Sequence, residues 1–365
     1  MIKNSFWENK RVLLTGHTGF KGSWLLLWLL NLGADVWCYS LDPDITPNLF
    51  EDLIKDIPKN RNIFKGNFHH HIGNINDQKS FIDFIRISNP DVVFHLAAQP
   101  LVRLSYKEPI NTWNTNVIGS LNLLEGLKVL KKPCAVVMIT TDKVYLNQEW
   151  EYGYRENDQL GGHDPYSASK ASAEIAISSW RSSFCGNGFL QTNFLKIATA
   201  RAGNVIGGGD WSLDRIIPDV IRSLLTNKPV KLRNPESKRP WQHVLEPLSG
   251  YLKLAEVIYT DEKLPHEAYN FGPSINSNKS VQVLVETIFK YWPGVWQSTK
   301  TSEDFHEAKL LHLQIEKVKH YLDWAPKWDF EKTIELTVNW YKSYSSNKSA
   351  LECCMHDLLL YIDSS

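Results

Sequence analysis

Cysteine and methionine are scarce in this chain of 365 residues, which has five of one and three of the other. The thiols, Cys38, Cys134, Cys185, Cys353 and Cys354, are odd in number, and none of their spacings makes a metal-binding pair. That excludes a disulfide framework and a zinc finger, and unpaired thiols fit a reducing cytoplasm. Net charge is absent too, because 40 basic residues balance 40 acidic ones. A chain with no basic excess lacks the footprint of a nucleic-acid binder. An anionic ligand has to be held locally, by glycines, helix ends and a few arginines. Long apolar runs are missing as well. The densest, Trp24–Leu30, is too short to span a bilayer. His17 and Lys21 interrupt the stretch that could pass for a signal peptide. The expectation is a cytosolic protein with neither membrane nor nucleic acid as partner. No internal repeat and no low-complexity segment is seen.

What remains is the composition of a globular protein, 43% hydrophobic and 22% charged, with 14 tryptophans that fill cores or stack on bases and sugars. The length suits one large domain or two lobes. Strand and helix patterns alternate through the first half. Strands are expected at Arg11–Thr15, Asp35–Tyr39, Val92–Leu96, Ala135–Thr140 and Thr192–Thr199. Helices are expected at Lys21–Leu32, Asp77–Ser88, Asn116–Leu130 and Tyr166–Phe184, the first stopped by Gly33. Apolar strands between such helices indicate a parallel sheet covered on both faces. This is an α/β, Rossmann-like doubly wound fold, with ligands bound beyond the carboxyl ends of the strands. After Arg201 the pattern loosens, with Ile216–Leu225 and Val281–Tyr291 the clearest helices. The expected division is a dinucleotide-binding domain over 1–200, a smaller substrate-binding lobe over 201–345, and a tail or helix over 346–365. The three histidines of Phe68–Ile72 read as a solvated loop rather than a metal site, and no metal is expected.

The first strand runs into Gly16-His17-Thr18-Gly19-Phe20-Lys21-Gly22. Glycines are needed where backbone approaches a pyrophosphate and where a helix packs closely on a strand. The helix that follows offers its N–H groups and positive dipole end to phosphates. Between a first strand and a first helix, this spacing points to a dinucleotide. Asp42 stands a residue or two beyond the usual place of a ribose-binding acid, and is either that acid or a solvated loop residue. No arginine stands there to meet a 2′-phosphate, which favours NAD over NADP.

Asp164 and Pro165 suit the start of a helix on which Tyr166 and Lys170 share one face. A cation there favours the phenolate, so the tyrosine can act as a base. In a chain with 14 tyrosines about one such spacing arises by chance. The pair gains weight from its place after the strand Ala135–Thr140. That strand ends in Thr141-Asp142-Lys143, where side chains point into the cleft. Thr141 can bond a substrate hydroxyl, Asp142 can donate or accept a proton, and a desolvated Lys143 can serve as a base. Otherwise the three form a polar loop with a solvated charge pair. Asn116 holds a structural water or faces solvent. Arg201, Arg233 and Arg239 are candidates for a diphosphate, since guanidinium forks match phosphate oxygens. Asn204 and Trp241 are weaker candidates in the same lobe.

The glycine loop, His95-Leu96-Ala97-Ala98-Gln99, Thr141-Asp142-Lys143 and Tyr166-x-x-x-Lys170 together resemble the extended short-chain dehydrogenase/reductases. Within these nicotinamide-dependent epimerases and dehydratases the chain is similar to the CDP-glucose 4,6-dehydratase branch. The residues that carry this likeness are the run from Gly16 to Trp24, Arg201-Ala202-Gly203-Asn204-Val205-Ile206-Gly207-Gly208-Gly209-Asp210-Trp211, Arg239-Pro240-Trp241-Gln242-His243-Val244-Leu245-Glu246 and Lys143. The resemblance covers about residues 6–343. It implies that Asn74, Ile75, Leu96, Ala97, Ala98, Gln99 and Asn116 join the loop in holding NAD. It implies a nucleotide-sugar substrate oxidised at C4 with Tyr166 as base. Lys143 and Asp142 would then eliminate water across C5 and C6. It also implies a homodimer or higher homo-oligomer. Two positions depart from the family pattern: Asn74 where an acid is usual, and Gln314, after His306-Glu307-Ala308, where aspartate is common. Rival readings are a dehydratase for another nucleotide, an epimerase, or a non-catalytic nicotinamide-binding regulator.

Overall fold

The computed structural model describes residues 2–185, 194–299 and 310–364. Among them, β1 (Arg11–Thr15), β2 (Asp35–Ser40), β3 (Asn67–Ile72), β4 (Val92–His95), β5 (Cys134–Ile139), β6 (Leu195–Ala202) and β7 (Ala268–Phe271) form one sheet. Their order is β7-β6-β5-β4-β1-β2-β3, and every neighbouring pair is parallel. The sheet is doubly wound and covered on both faces. That is why β5, Cys-Ala-Val-Val-Met-Ile, is buried at every residue and shows no alternation. The strand order reverses between β1 and β4, and ligands of open α/β sheets bind at that crevice.

The glycine-loop helix α1 (Phe20–Leu32) is buried at ten of its thirteen residues. It is covered from several sides, which accounts for its near-continuous apolar sequence. Gly33 ends it at φ 90°, a left-handed cap that glycine adopts without strain. The helix expected over Asn116–Leu130 opens with a π-helical turn, Asn114–Ile118, before Gly119–Leu127. The expected strand Thr192–Thr199 starts outside the described residues, as do His306, Glu307 and Ala308.

Two features differ from expectation. The histidine stretch is not a loop: it is the edge strand β3, in register with β2 from Asp35↔Asn67 to Ser40↔Ile72. Polar side chains are tolerated because the edge faces water. Their rings stack on β2, His69 on Trp37 at 4.1 Å and His71 on Tyr39 at 5.3 Å. Secondly, the sheet does not end with the first 200 residues. β7 pairs with β6, and α3 (Leu245–Thr260) packs against β5 and β6. The last residues, expected as a tail or helix, form the helix α4 (Ala350–Asp363), started by a capping box between Ser349 and Glu352.

That last helix is part of the core. Tyr361 is 1% exposed and meets Trp28 and Trp328 edge to face, with centroids 5.6 and 4.9 Å away. Its hydroxyl donates to Glu246 at 2.7 Å. Glu246 is wholly buried on α3 and also accepts from the backbone N–H groups of Lys327 and Trp328. Tyr361→Ala removes the ring and leaves a buried carboxylate short of a donor. It should cost about 3–5 kcal/mol in urea unfolding. A loss below about 1 kcal/mol would show that α4 is an appendage.

Candidate active site

The crevice begins where two turns touch. Gly16, at φ 75°, lies so close to the turn after β4 that a Cβ would sit 2.6 Å from the Ala97 nitrogen. A Cβ on Gly22 would fall 2.1 Å from the Gly16 oxygen. Gly19 is different. It is exposed at the start of α1, and a Cβ there would meet only the Gly16 oxygen, at 3.5 Å. Gly16 thus closes the loop onto the turn after β4, Gly22 closes it on itself, and the third leaves bare backbone beside a helix N-terminus. That is the shape a pyrophosphate needs. The His17 side chain faces away, its Nε2 2.7 Å from Nδ1 of His70 and its ring on Phe50. Burial, and then His70, pulls its pKa down to about 3, so it carries no charge toward a ligand. Thr18 bonds Ser40 at 2.7 Å and the Leu41 carbonyl at 3.0 Å, fixing the loop to the end of β2. Asp42 follows, exposed.

The wall across from the loop is Leu96–Gln99. The Asn116 side chain accepts from the Gln99 N–H at 2.9 Å and donates to the Gln99 carbonyl at 3.2 Å and to Ser169 at 2.9 Å. Asn116 is therefore neither solvent-facing nor idle, and it ties this wall to the Tyr166 helix. The Gln99 amide bonds Thr112 and the backbone of Leu101. Both amides shape the wall from behind. Asn74 turns its oxygen onto the Asn76 N–H at 2.9 Å, and Ile75 is buried against Gly119.

The Tyr166 helix is α2 (Pro165–Phe184). Asp164 caps it by accepting from the Ser167 N–H at 3.0 Å, with Pro165 at its first position. Tyr166 and Lys170 are both buried. The Lys170 ammonium donates to the Ile139 carbonyl at 3.4 Å. Burial lowers its pKa to about 8, against the pull of Glu174. Burial raises Tyr166 to about 12, and Asp142 adds to this. The groups that draw it down are the Thr141 hydroxyl and Arg215. Next to this pair, β5 runs out into Thr141 and the short helix Asp142–Val144. Thr141 accepts from the Lys143 N–H at 3.3 Å and donates to Asp142 at 3.0 Å. Lys143 places its ammonium 6.0 Å from the centre of the Tyr166 ring. Asp142 is held above its ordinary pKa by burial, opposed by Lys143, the Thr141 bond, Arg239 and Lys21. The strand end and the helix face thus bring five expected residues together.

Other expected residues fall elsewhere. Arg201 is 3% exposed and bonds Glu174 through both Nε and Nη2, with Nη1 on Tyr145 and the Glu156 carbonyl. No donor fork is left for a diphosphate. Trp241 is 4% exposed in the main core, its indole N–H on the Lys279 carbonyl at 2.9 Å. It supports the lobe and offers no open face. Arg233 pairs with Asp214 at 3.2 Å, and Asn204 is half-buried after β6. Three further residues belong to the centre. Lys21 reaches from the glycine loop to within 5.9 Å of the Tyr251 ring. Burial lowers its pKa to about 8, helped by Arg215 and Lys170 and opposed by Asp142. Tyr251 on α3 is wholly buried, and its hydroxyl has no hydrogen-bond partner among the described residues. Arg215 opens the helix Ile216–Leu225 and bonds Asp210 at 3.2 Å. Lys21 is expected at the cofactor through the glycine motif, whereas nothing in the sequence marks Tyr251 or Arg215. Among the described residues there is no His, Cys, Asp and Glu group that could hold a metal. None of their helices is long and apolar enough to cross a membrane.

Sheet order, glycine loop and Tyr-x-x-x-Lys helix are those of the extended short-chain dehydrogenase/reductases. Within them the chain belongs to the family whose model, described as GDP-mannose 4,6 dehydratase, matches residues 13–337. It is 44% identical over 366 residues to a Salmonella typhimurium protein named CDP-glucose 4,6-dehydratase, covering 100% of this chain and 99% of that one. It is 25% identical to a UDP-glucose 4-epimerase of Mycoplasma pneumoniae, over 92% of this chain and 97% of that one. The fold is also that of dTDP-glucose 4,6-dehydratase from Bacillus anthracis, solved with NAD. That structure superposes with a TM-score of 0.73 at 23% identity, over 93% of this chain and 99% of the other.

The glycine geometry separates two effects of adding one methyl. Gly22→Ala should disrupt both folding and dinucleotide binding. Gly19→Ala should leave stability within about 1 kcal/mol, the difference between glycine and alanine at a helix N-cap. It should nonetheless weaken dinucleotide binding at least tenfold. Calorimetry showing unchanged affinity in Gly19→Ala would remove Gly19 from the cradle.

Proposed function

We propose that this chain is a CDP-glucose 4,6-dehydratase, converting CDP-glucose to CDP-4-keto-6-deoxyglucose and water. One observation carries the reaction type. A Tyr-Lys pair and a separate Thr-Asp-Lys set open into the same crevice, with Lys143 lying 6.0 Å from the Tyr166 ring. Oxidation at C4 needs only the first set. Elimination across C5 and C6 needs a second acid/base set, and Asp142 and Lys143 supply one. The choice of CDP-glucose is supported by the full-length relative of that activity at 44% identity.

Gly16, Gly19 and Gly22, with Thr18, Phe20 and Lys21 around them, would hold NAD by its pyrophosphate, and Leu96–Gln99 would form the facing wall. The absence of an arginine after β2 and the exposed Asp42 favour NAD over NADP. When bound, NAD supplies the site that takes the C4 hydride and returns it at C6. Tyr166 removes the proton from the 4-hydroxyl, and Thr141 holds that oxygen. The 4-keto group acidifies C5–H. Lys143 takes the C5 proton, and Asp142, whose pKa burial raises, protonates the departing 6-hydroxyl. As the hydride returns to C6, Lys143 gives a solvent-exchangeable proton back to C5, and the proton that Tyr166 took from the 4-hydroxyl makes good the one Asp142 lost. Arg239, Arg233 and Asn204 would meet the diphosphate and nucleoside from the lobe that follows β6. Ile110, Trp113, Ile118 and Ile175 leave apolar surface beside α2, which supports a homodimer through these helices. Five free, buried thiols suit a cytoplasmic enzyme.

The test is Lys143→Ala with CDP-glucose. Hydride removal should survive while loss of water slows about a hundredfold, the usual cost of one acid/base group. A 4-ketohexose that keeps its 6-hydroxyl should accumulate with bound NADH, read by mass and by absorbance. Tyr166→Phe should stop both steps and leave NAD binding intact. Deoxysugar formed by Lys143→Ala at the wild-type rate would make Lys143 a bystander.

A further inference from the structure

Behind the crevice lies an ion pair with no contact to it. Glu174 sits one helical turn beyond Lys170 on α2, and Arg201 lies on β6. Each side chain is 4% exposed. Glu174 accepts four hydrogen bonds, two from Arg201 at 3.0 and 2.9 Å, one from Thr140 at 2.5 Å and one from Thr199 at 2.9 Å. Arg201 in turn donates to the Tyr145 hydroxyl at 2.8 Å, which donates to Asn270 on β7 at 2.7 Å. Thr140 immediately precedes Thr141-Asp142-Lys143, and Tyr145 lies just beyond them. The acid/base set is therefore gripped at both flanks by one ion pair, whose anion rides on the helix that carries Tyr166 and Lys170.

An ion pair this deep is no bargain for stability. Two apolar side chains of the same volume would serve as well or better. What the pair adds is direction: a bidentate fork and four directed acceptor bonds fix β5, β6 and α2 in one register. We propose that Glu174 and Arg201 are positioning residues that hold the elimination set, Thr141–Lys143, at a fixed distance from the oxidation set, Tyr166 and Lys170. This rests on the dehydratase reading above, in which the same sugar must meet both sets in one visit. Glu174 has a second effect, because it faces Lys170 from the next turn. Lys170 also faces His95 on β4 and Lys21 on α1, and Glu174 is the anion that favours its protonated form.

The experiment compares wild type with the double variant Glu174→Gln/Arg201→Met and with Tyr145→Phe, each carrying NAD. Wild type must first turn over CDP-glucose; if it does not, the functional reading fails and not this one. The double variant removes both charges together, so no lone charge stays buried. Its kcat should fall at least tenfold with KM within twofold. The alkaline limb of its kcat profile should move to lower pH, because Lys170 loses the anion that keeps it protonated. Tyr145→Phe breaks only the downstream flank and leaves the ion pair in place. It should lower kcat severalfold without moving the pH profile. If the double variant does not fold, Tyr145→Phe decides. Wild-type kcat in Tyr145→Phe, or in a folded double variant with an unshifted pH profile, would overturn the proposal and leave the pair a merely structural one.

Discussion

The site depends on backbone touching backbone at the point where the strand order reverses. The turn after β1 and the turn after β4 approach so closely that a single methyl on Gly16 has no room. The same turn bears on α1 through Gly22. This contact fixes where the helix N-terminus points, and so where an anionic cofactor can lie. It also fixes Leu96–Gln99, which Asn116 then ties to Ser169 on the helix of Tyr166 and Lys170. The cofactor cradle and the catalytic helix are thus joined through a short chain of hydrogen bonds.

Electrostatics divides the work within that frame. Tyr166 is buried and held near 12, well above the neutral range. The Lys170 ammonium is turned to the Ile139 carbonyl. A phenolate at neutral pH requires additional positive charge, which an oxidised nicotinamide brings when bound. Asp142 shows the reverse balance. Burial pushes it toward the acid form while Lys143, Lys21 and Arg239 push it toward the carboxylate. A carboxyl group raised above the ordinary carboxylate range is the better proton donor to a departing hydroxyl. Tyr251 lies beside the same centre from α3, wholly buried and with its ring 5.9 Å from the Lys21 ammonium.

Much of this was legible in the sequence because local rules left few choices. The glycine loop needs residues without a side chain at fixed spacing, and apolar β4 and β5 can only be inner strands of a parallel sheet. Asp164-Pro165 announces the catalytic helix by capping chemistry. What escaped was decided by tertiary partners. Asn67–Ile72 looks like a solvated loop until Trp37 and Tyr39 are seen stacking on its histidines. Arg201 looks like a phosphate ligand until Glu174, from another element, takes its fork. Trp241 stands in a motif that resembles a binding segment, yet its indole serves the core. Tyr251 carries no local signal, since α3 reads as one more apolar helix.

The two acid/base sets define what separates this chemistry from that of an epimerase, because an epimerase needs no elimination. The fate of one hydrogen distinguishes them. CDP-glucose carrying deuterium at C4 should be incubated with the NAD-loaded enzyme, and the product examined by NMR. A 4,6-dehydratase returns that deuterium to C6 of a 4-keto-6-deoxy sugar, with the C5 hydrogen drawn from solvent. Deuterium found again at C4 of a hexose that keeps its 6-hydroxyl would contradict the assignment.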